Sequence, residues 1–183
     1  MANVYSFLAD GMEEMEALAP VDLLRRAGNP VTTVSVMGRN QVRGSHNIVV
    51  EADVLFEKAD FSDGDLFVLP GGGEGTRNLG ECESLMRLLK KKYDEGKRVA
   101  AICAAPTLLA RLGILEGKKA TVYPGLEGQL GGALLQDVPA VTDGQVTTGH
   151  GAGAAIEFGL ELIRVLNGEK AAEDMRRQIV FQH

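Results

Sequence analysis

The chain has 183 residues, 45% hydrophobic and 24% charged, which suits a folded domain with a proper core and excludes a low-complexity or fibrous polymer. A net charge of −6 without a basic stripe argues against nucleic acid as a partner, and no apolar run is long enough to cross a bilayer. Two cysteines, Cys82 and Cys103, are too few for a secreted disulfide framework, and the N-terminus enters a strand without a charged leader. We therefore expect a cytoplasmic protein forming a single domain over residues 1–183.

Val4 to Leu8 reads as a short apolar strand. Asp10 and Gly11 make a turn, and Asp10 is placed to cap the helix that opens at Glu13-Glu14-Met15-Glu16. Acidic residues there suit the positive end of the helix. Pro20 interrupts the pattern. It removes the N–H that would bond the Glu16 carbonyl, so a kink at Glu16 is expected. The helix continues to Ala27 and closes at Gly28. Val31 to Val36 is a β-branched strand, followed by shorter pieces at Gln41 to Arg43 and Ile48 to Val50. Leu66 to Leu69 is a buried strand ending in Pro70-Gly71-Gly72-Gly73. Leu85, Leu88, Leu89 and Lys92 keep helical spacing, with Glu83 and Arg87 paired one turn apart outside.

Val99 to Ile102 is another continuous apolar run, which stops at Cys103. Ala104-Ala105-Pro106 then opens a short helix, with proline in its first turn. Ala120 to Val122, Ala140 to Val141 and Val146 to Thr148 are further short strands. Gly149-His150-Gly151-Ala152-Gly153 opens a helix with Ile156, Leu160 and Ile163 on one face, and a charged helix covers about 169–177. Strands alternating with helices predict an open, mostly parallel α/β sheet, with ligands outside the carboxyl ends of its strands.

A side chain at a sharp strand-to-helix turn meets unpaired N–H groups, a field that favours thiolate; the geometry is a nucleophile elbow carried by sulfur. The pattern equally fits a small buried core cysteine. Gly71 and Gly72, with the N–H of Ala104, could form an oxyanion hole beside Cys103, or only a tight turn. Glu16, turned inward at the proline, would meet the sulfur and gain a raised pKa; otherwise it is an exposed helix glutamate, the reading preferred for Glu13 and Glu14. His46, His150 and the terminal His183, which is expected to be mobile, keep no metal-like spacing with cysteine, so neither a metal nor a cofactor is expected. Cys82 reads as structural.

The segments Glu13-Glu14-Met15-Glu16, Pro20 to Gly28, Leu69-Pro70-Gly71-Gly72, Ala100 to Pro106 and Thr148 to Phe158 together resemble the DJ-1 branch of the DJ-1/ThiJ/PfpI superfamily. The resemblance implies a flavodoxin-like three-layer sandwich and a homodimer. It implies that Cys103 is the reactive cysteine, Glu16 its carboxylate partner, and Gly72 and Ala104 the oxyanion-hole amides. Activities attributed to such proteins are cofactor-free glyoxalase action on 2-oxoaldehydes, deglycation of early glycation adducts, chaperone action and oxidative-stress sensing. Some members carry names linked to thiamine biosynthesis or proteolysis. Two departures matter. Where the family often places a histidine before proline, this chain has Tyr123 before Pro124, with a reference pKa of about 10 that makes it a poor base. The protease-like branch carries histidine after the cysteine; Ala104 stands here and argues against peptidase chemistry. His46 falls where some members carry an arginine near the dimer interface.

Three functions remain open on the sequence: an enzyme using Cys103, Glu16 and Tyr123 on a small aldehyde, a sensor in which an oxidant attacks Cys103, and a chaperone acting through a dimer surface.

Overall fold

Runs in which every residue is apolar form strands only where both faces of a sheet are covered, and this is how the chain folds. The computed structural model describes residues 1–182; His183 lies outside the described residues. In chain order the elements are β1 (Val4–Leu8), α1 (Glu14–Arg26), β2 (Val31–Ser35), β3 (Gln41–Arg43), β4 (Val49–Glu51), β5 (Val54–Leu55), β6 (Leu66–Leu69), α2 (Gly73–Glu81), α3 (Glu83–Asp94), β7 (Arg98–Ile102), α4 (Pro106–Arg111), β8 (Lys119–Ala120), β9 (Leu134–Leu135), β10 (Ala140–Asp143), β11 (Val146–Gly149), α5 (Ala155–Asn167) and α6 (Glu169–Gln178).

Seven strands form the central sheet in the order β10-β11-β7-β6-β1-β2-β5. All neighbours are parallel except the edge hairpin β10–β11. β3 and β4 form an antiparallel ribbon, and β8 and β9 a small parallel pair. The period-two alternation of strand side chains divides the core in two. Phe67, Leu69, Val99 and Ala101 face Leu79, Leu85, Leu89 and Leu108 of α2, α3 and α4. Leu66, Val68, Ala100 and Ile102 face Leu23, Phe158, Ile163 and Met175 of α1, α5 and α6. The architecture is the expected flavodoxin-like α/β sandwich. No helix is long and apolar enough to cross a membrane among the described residues.

The structure corrects several local expectations. The helix α2 was not anticipated, because Gly73, Gly75 and Gly80 dilute its apolar pattern. Asp10 does not cap α1. Glu13 does, accepting from the Glu16 N–H at 2.8 Å, while Asp10 pairs with Arg39 and accepts from the Arg43 N–H. Glu14 is buried rather than exposed: its carboxylate accepts from the backbone N–H of His46 at 2.7 Å and meets the His46 Nδ1 at 3.0 Å, tying the β3–β4 ribbon to α1. These bonds hold the Glu14 carboxyl down to about 2 against the penalty of burial. Ile156 stands 36% exposed, while Leu160 and Ile163 on the same helix are buried.

Candidate active site around Cys103

The strand order turns at β1 and β6: β1 passes to β2 on one side, while β6 and β7 lie on the other. In such sheets the crevice above the carboxyl ends at this switch is where ligands bind. The segments leaving β1, β6 and β7 all reach it.

Cys103 follows the last residue of β7 and adopts φ +65°, a left-handed conformation rare for a residue with a side chain. Its N–H donates to the Gly149 carbonyl at 2.9 Å, and its carbonyl accepts from the Tyr123 N–H at 2.9 Å. With its backbone clamped from both sides, the side chain points over the sheet end, and α4 begins three residues later with Pro106 in its first turn. The elbow expected from sequence is present. Cys103 is nonetheless buried, at 8% exposure.

Glu16 comes from the first turn of α1 and is 1% exposed. Its Oε2 accepts from the Gly71 N–H at 3.0 Å, whereas Oε1 is buried without a hydrogen-bond partner. Gly71 is glycine for lack of room: a Cβ there would lie 2.4 Å from Glu16 Oε2 and 2.6 Å from Cys103 Cβ. Its amide serves Glu16, so it is not part of the oxyanion pair that the sequence had grouped it with. The amides of Gly72 and Ala104 are the two that draw the Cys103 thiol toward ionisation. Gly72 has φ +88°, and a Cβ on it would sit 2.4 Å from the Gly11 carbonyl oxygen.

Burial pushes the Glu16 carboxyl up to about 7, with the nearby Glu13 charge adding to the rise and the Cys103 and Gly71 hydrogen bonds opposing it. The Cys103 thiol is pushed up to about 12 by burial and by the facing Glu16 carboxylate, against the pull of the Gly72 and Ala104 amides. The expectation of a thiol acidified by a helix start is thus corrected. A six-residue helix offers little field, and a neighbouring carboxylate opposes a second negative charge. Burial and the facing carboxylate together leave the charge of the pair on Glu16 and the sulfur as thiol, and protonating Glu16 removes only the second of these two effects.

Cys103, Glu16, Gly72 and Ala104 are brought together as expected. Tyr123 joins them through its backbone only. Its side chain is 51% exposed, and its hydroxyl bonds no described residue. His150 is turned away, its Nδ1 2.9 Å from Thr121 Oγ1. Cys82 packs against the core at the α2–α3 junction. Glu13, Glu14 and His46 offer ligand atoms within 4.8 Å of one another. Their carboxylates are already engaged, Glu13 in capping α1 and Glu14 in holding the ribbon. The partnership of Glu14 with residues 44–48 was missed; the signal available in sequence was Gly44, which leaves room for the carboxylate.

Comparison with known proteins places the chain in a family. Residues 2–165 match the model of the DJ-1/PfpI family. The protein DJ-1 homolog A of Arabidopsis thaliana is 40% identical over 92% of this chain, which spans 44% of that protein's length. A Pyrococcus abyssi protein named a deglycase is 31% identical over 86% of this chain and 95% of its own. The structure of oxidized Toxoplasma gondii DJ-1 superposes with a TM-score of 0.96 at 33% identity, each chain covered in full. From fold, site and sequence together, the chain belongs to the DJ-1/PfpI family.

Proposed function

We propose that the protein is a cofactor-independent enzyme in which Cys103 attacks the carbonyl carbon of small 2-oxoaldehydes or of their early adducts with thiols and amines. The observation that carries this reading is the pairing of a buried carboxyl titrating near 7 with the elbow sulfur, beside two backbone amides. The name of the archaeal relative, a deglycase, is consistent with it.

For methylglyoxal the steps balance as follows. The thiol adds to the aldehyde carbon, its proton passing through Glu16 to the aldehyde oxygen, and a hemithioacetal forms. The Gly72 and Ala104 amides hold that oxygen while negative charge develops on it. Glu16 as carboxylate takes the proton from the former aldehyde carbon, giving an enediol, and returns a proton to the neighbouring carbon. The product is a thioester of lactate. Water cleaves it, restoring the thiol and releasing lactate. The sum is one methylglyoxal and one water to one lactate, with no net oxidation. A carboxyl with a pKa near the working pH suits both giving and taking protons. Tyr123, above the crevice, orients the incoming carbonyl compound rather than acting as a base.

Lactate formation from methylglyoxal by wild type and by Cys103→Ser tests the reading. Loss of turnover with the serine supports it, and equal output from both would sink it. A second reading, oxidation of Cys103 to a sulfinate held by protonated Glu16, is favoured by the unpartnered Glu16 Oε1. Intact mass after mild peroxide should then show two added oxygens on Cys103 and none on Cys82. We further infer a homodimer seated on the exposed apolar residues Met15, Ile48, Val49 and Ile156, which native mass would register as twice the chain mass.

A further inference from the structure

Helix α1 opens with a capping box whose second half is diverted. In the usual arrangement the N-cap side chain bonds the backbone N–H three residues on, and the residue there reaches back to the N-cap N–H. Here Glu13 Oε2 accepts from the Glu16 N–H at 2.8 Å, but the Glu16 side chain goes elsewhere. Gly71 stands between the two. The Glu13 N–H donates to the Gly71 carbonyl at 3.0 Å, and the Gly71 N–H donates to Glu16 Oε2 at 3.0 Å. The three bonds close a ring through Glu13, Glu16 and Gly71. The ring has no slack at Gly71, where a Cβ would lie 2.4 Å from Glu16 Oε2. Glutamate is also not among the residues favoured at an N-cap. A shorter Ser, Thr, Asp or Asn satisfies the same donor with less side chain to immobilise, so capping alone does not account for Glu13.

We propose that Glu13 is a positioning residue for the Cys103–Glu16 pair: its carboxylate pins the first turn of α1 to the Gly71 loop and so directs the Glu16 carboxyl at the sulfur. Its part in turnover rests on the proposal that this pair is catalytic. Glu13 acts through Glu16, since its own bonds go to the Glu16 N–H and the Gly71 carbonyl. A second effect is electrostatic. The ionisable groups that face the Glu16 carboxyl are Cys103, in the turn after β7, and Glu13 at the start of its own helix; the loop after β6 presents the Gly71 amide. Negative charge on Glu13 opposes ionisation of Glu16. The His46 ring, between β3 and β4, lies beside Glu13 and Glu14.

Carbon-13 and proton NMR of the free protein across pH tests this role without substrate. In wild type the Glu16 carboxyl and the Gly71 amide proton should titrate together, at one midpoint. Glu13→Gln keeps an oxygen for the Glu16 N–H and removes the charge, so the two signals should still move together, at a lower midpoint. Glu13→Ala removes the acceptor, and the Gly71 amide should cease to follow Glu16. With methylglyoxal, kcat of Glu13→Ala should fall about 10- to 100-fold, the cost of a misplaced group, with KM changing less, and Glu13→Gln should recover most of that loss. A cap serving stability alone would lower the melting temperature and leave both midpoints where they are. A Gly71 amide that follows Glu16 in Glu13→Ala as in wild type, or an unmoved midpoint in Glu13→Gln, overturns the proposal. If Glu13→Ala fails to fold, the Glu13→Gln midpoint decides. A wild type whose signals behave as expected, but which forms no lactate, removes the proposed reaction and upholds the hold of Glu13 on the pair.

Discussion

Glu16 shows how much a single buried group can govern. Its carboxyl rises from an ordinary 4.5 to about 7 because water is excluded around it. On the proposed mechanism the carboxylate form removes the carbon-bound proton, so kcat/KM should climb with pH and level off above an apparent pKa near 7. Replacing Glu16 by Gln should lower turnover by about 10²- to 10⁴-fold and erase this limb of the profile, the usual weight of a general acid–base group. The same titration acts on stability with a definite sign. A raised carboxyl favours the folded state at low pH, and this contribution is lost as pH rises from about 4.5 through about 7. The gap corresponds to about 3 kcal/mol, and urea unfolding at pH 4.5 and pH 8 should show the decline in wild type and not in Glu16→Gln. Glu14 runs the other way. Held down to about 2, it adds stability above its ordinary 4.5 that disappears as pH falls toward 2, so Glu14→Gln should flatten the acid limb and leave the neutral one.

At the scale of elements, the legible parts of the sequence were those with strong periodicity. β1, β6 and β7 are short, mostly apolar runs and β2 is a β-branched one, and the α1 boundaries follow from acidic residues at one end and Gly28 at the other. The elbow was legible because a buried strand, a single cysteine and a proline-opened helix stand in a row. What the sequence hid was pairing across distance. That Glu14 and Glu16 both turn inward depends on the ribbon β3–β4 and on the Gly71 amide, which lie 32 and 55 residues away. The raised thiol pKa was hidden for the same reason, since it depends on burial and on the facing Glu16 carboxylate and not on the turn. The loop after β6 should be the least tolerant of change. Gly71→Ala would put a methyl group against both Glu16 and Cys103, and Gly72→Ala adds strain at φ +88°. Each is expected to destabilise the protein by about 2 kcal/mol or more, read as a lowered midpoint of thermal unfolding.

For the whole molecule, the site is an outcome of assembly. Residues 16, 71, 72 and 103 meet only when β1, β6 and β7 lie side by side, so no fragment lacking one of these strands carries the pair. The left-handed turn at Cys103 then has a wider meaning. Among the described residues only Asn47, Cys103 and Val180 adopt it without being glycine, and for Cys103 the conformational cost is about 1–2 kcal/mol. A glycine in that position would relax the backbone, while an alanine would keep the burden without the sulfur. Of two variants with no thiol at 103, the glycine form should therefore be the sturdier, and the margin between their melting points measures the robustness surrendered to keep a working atom at the crest of the fold.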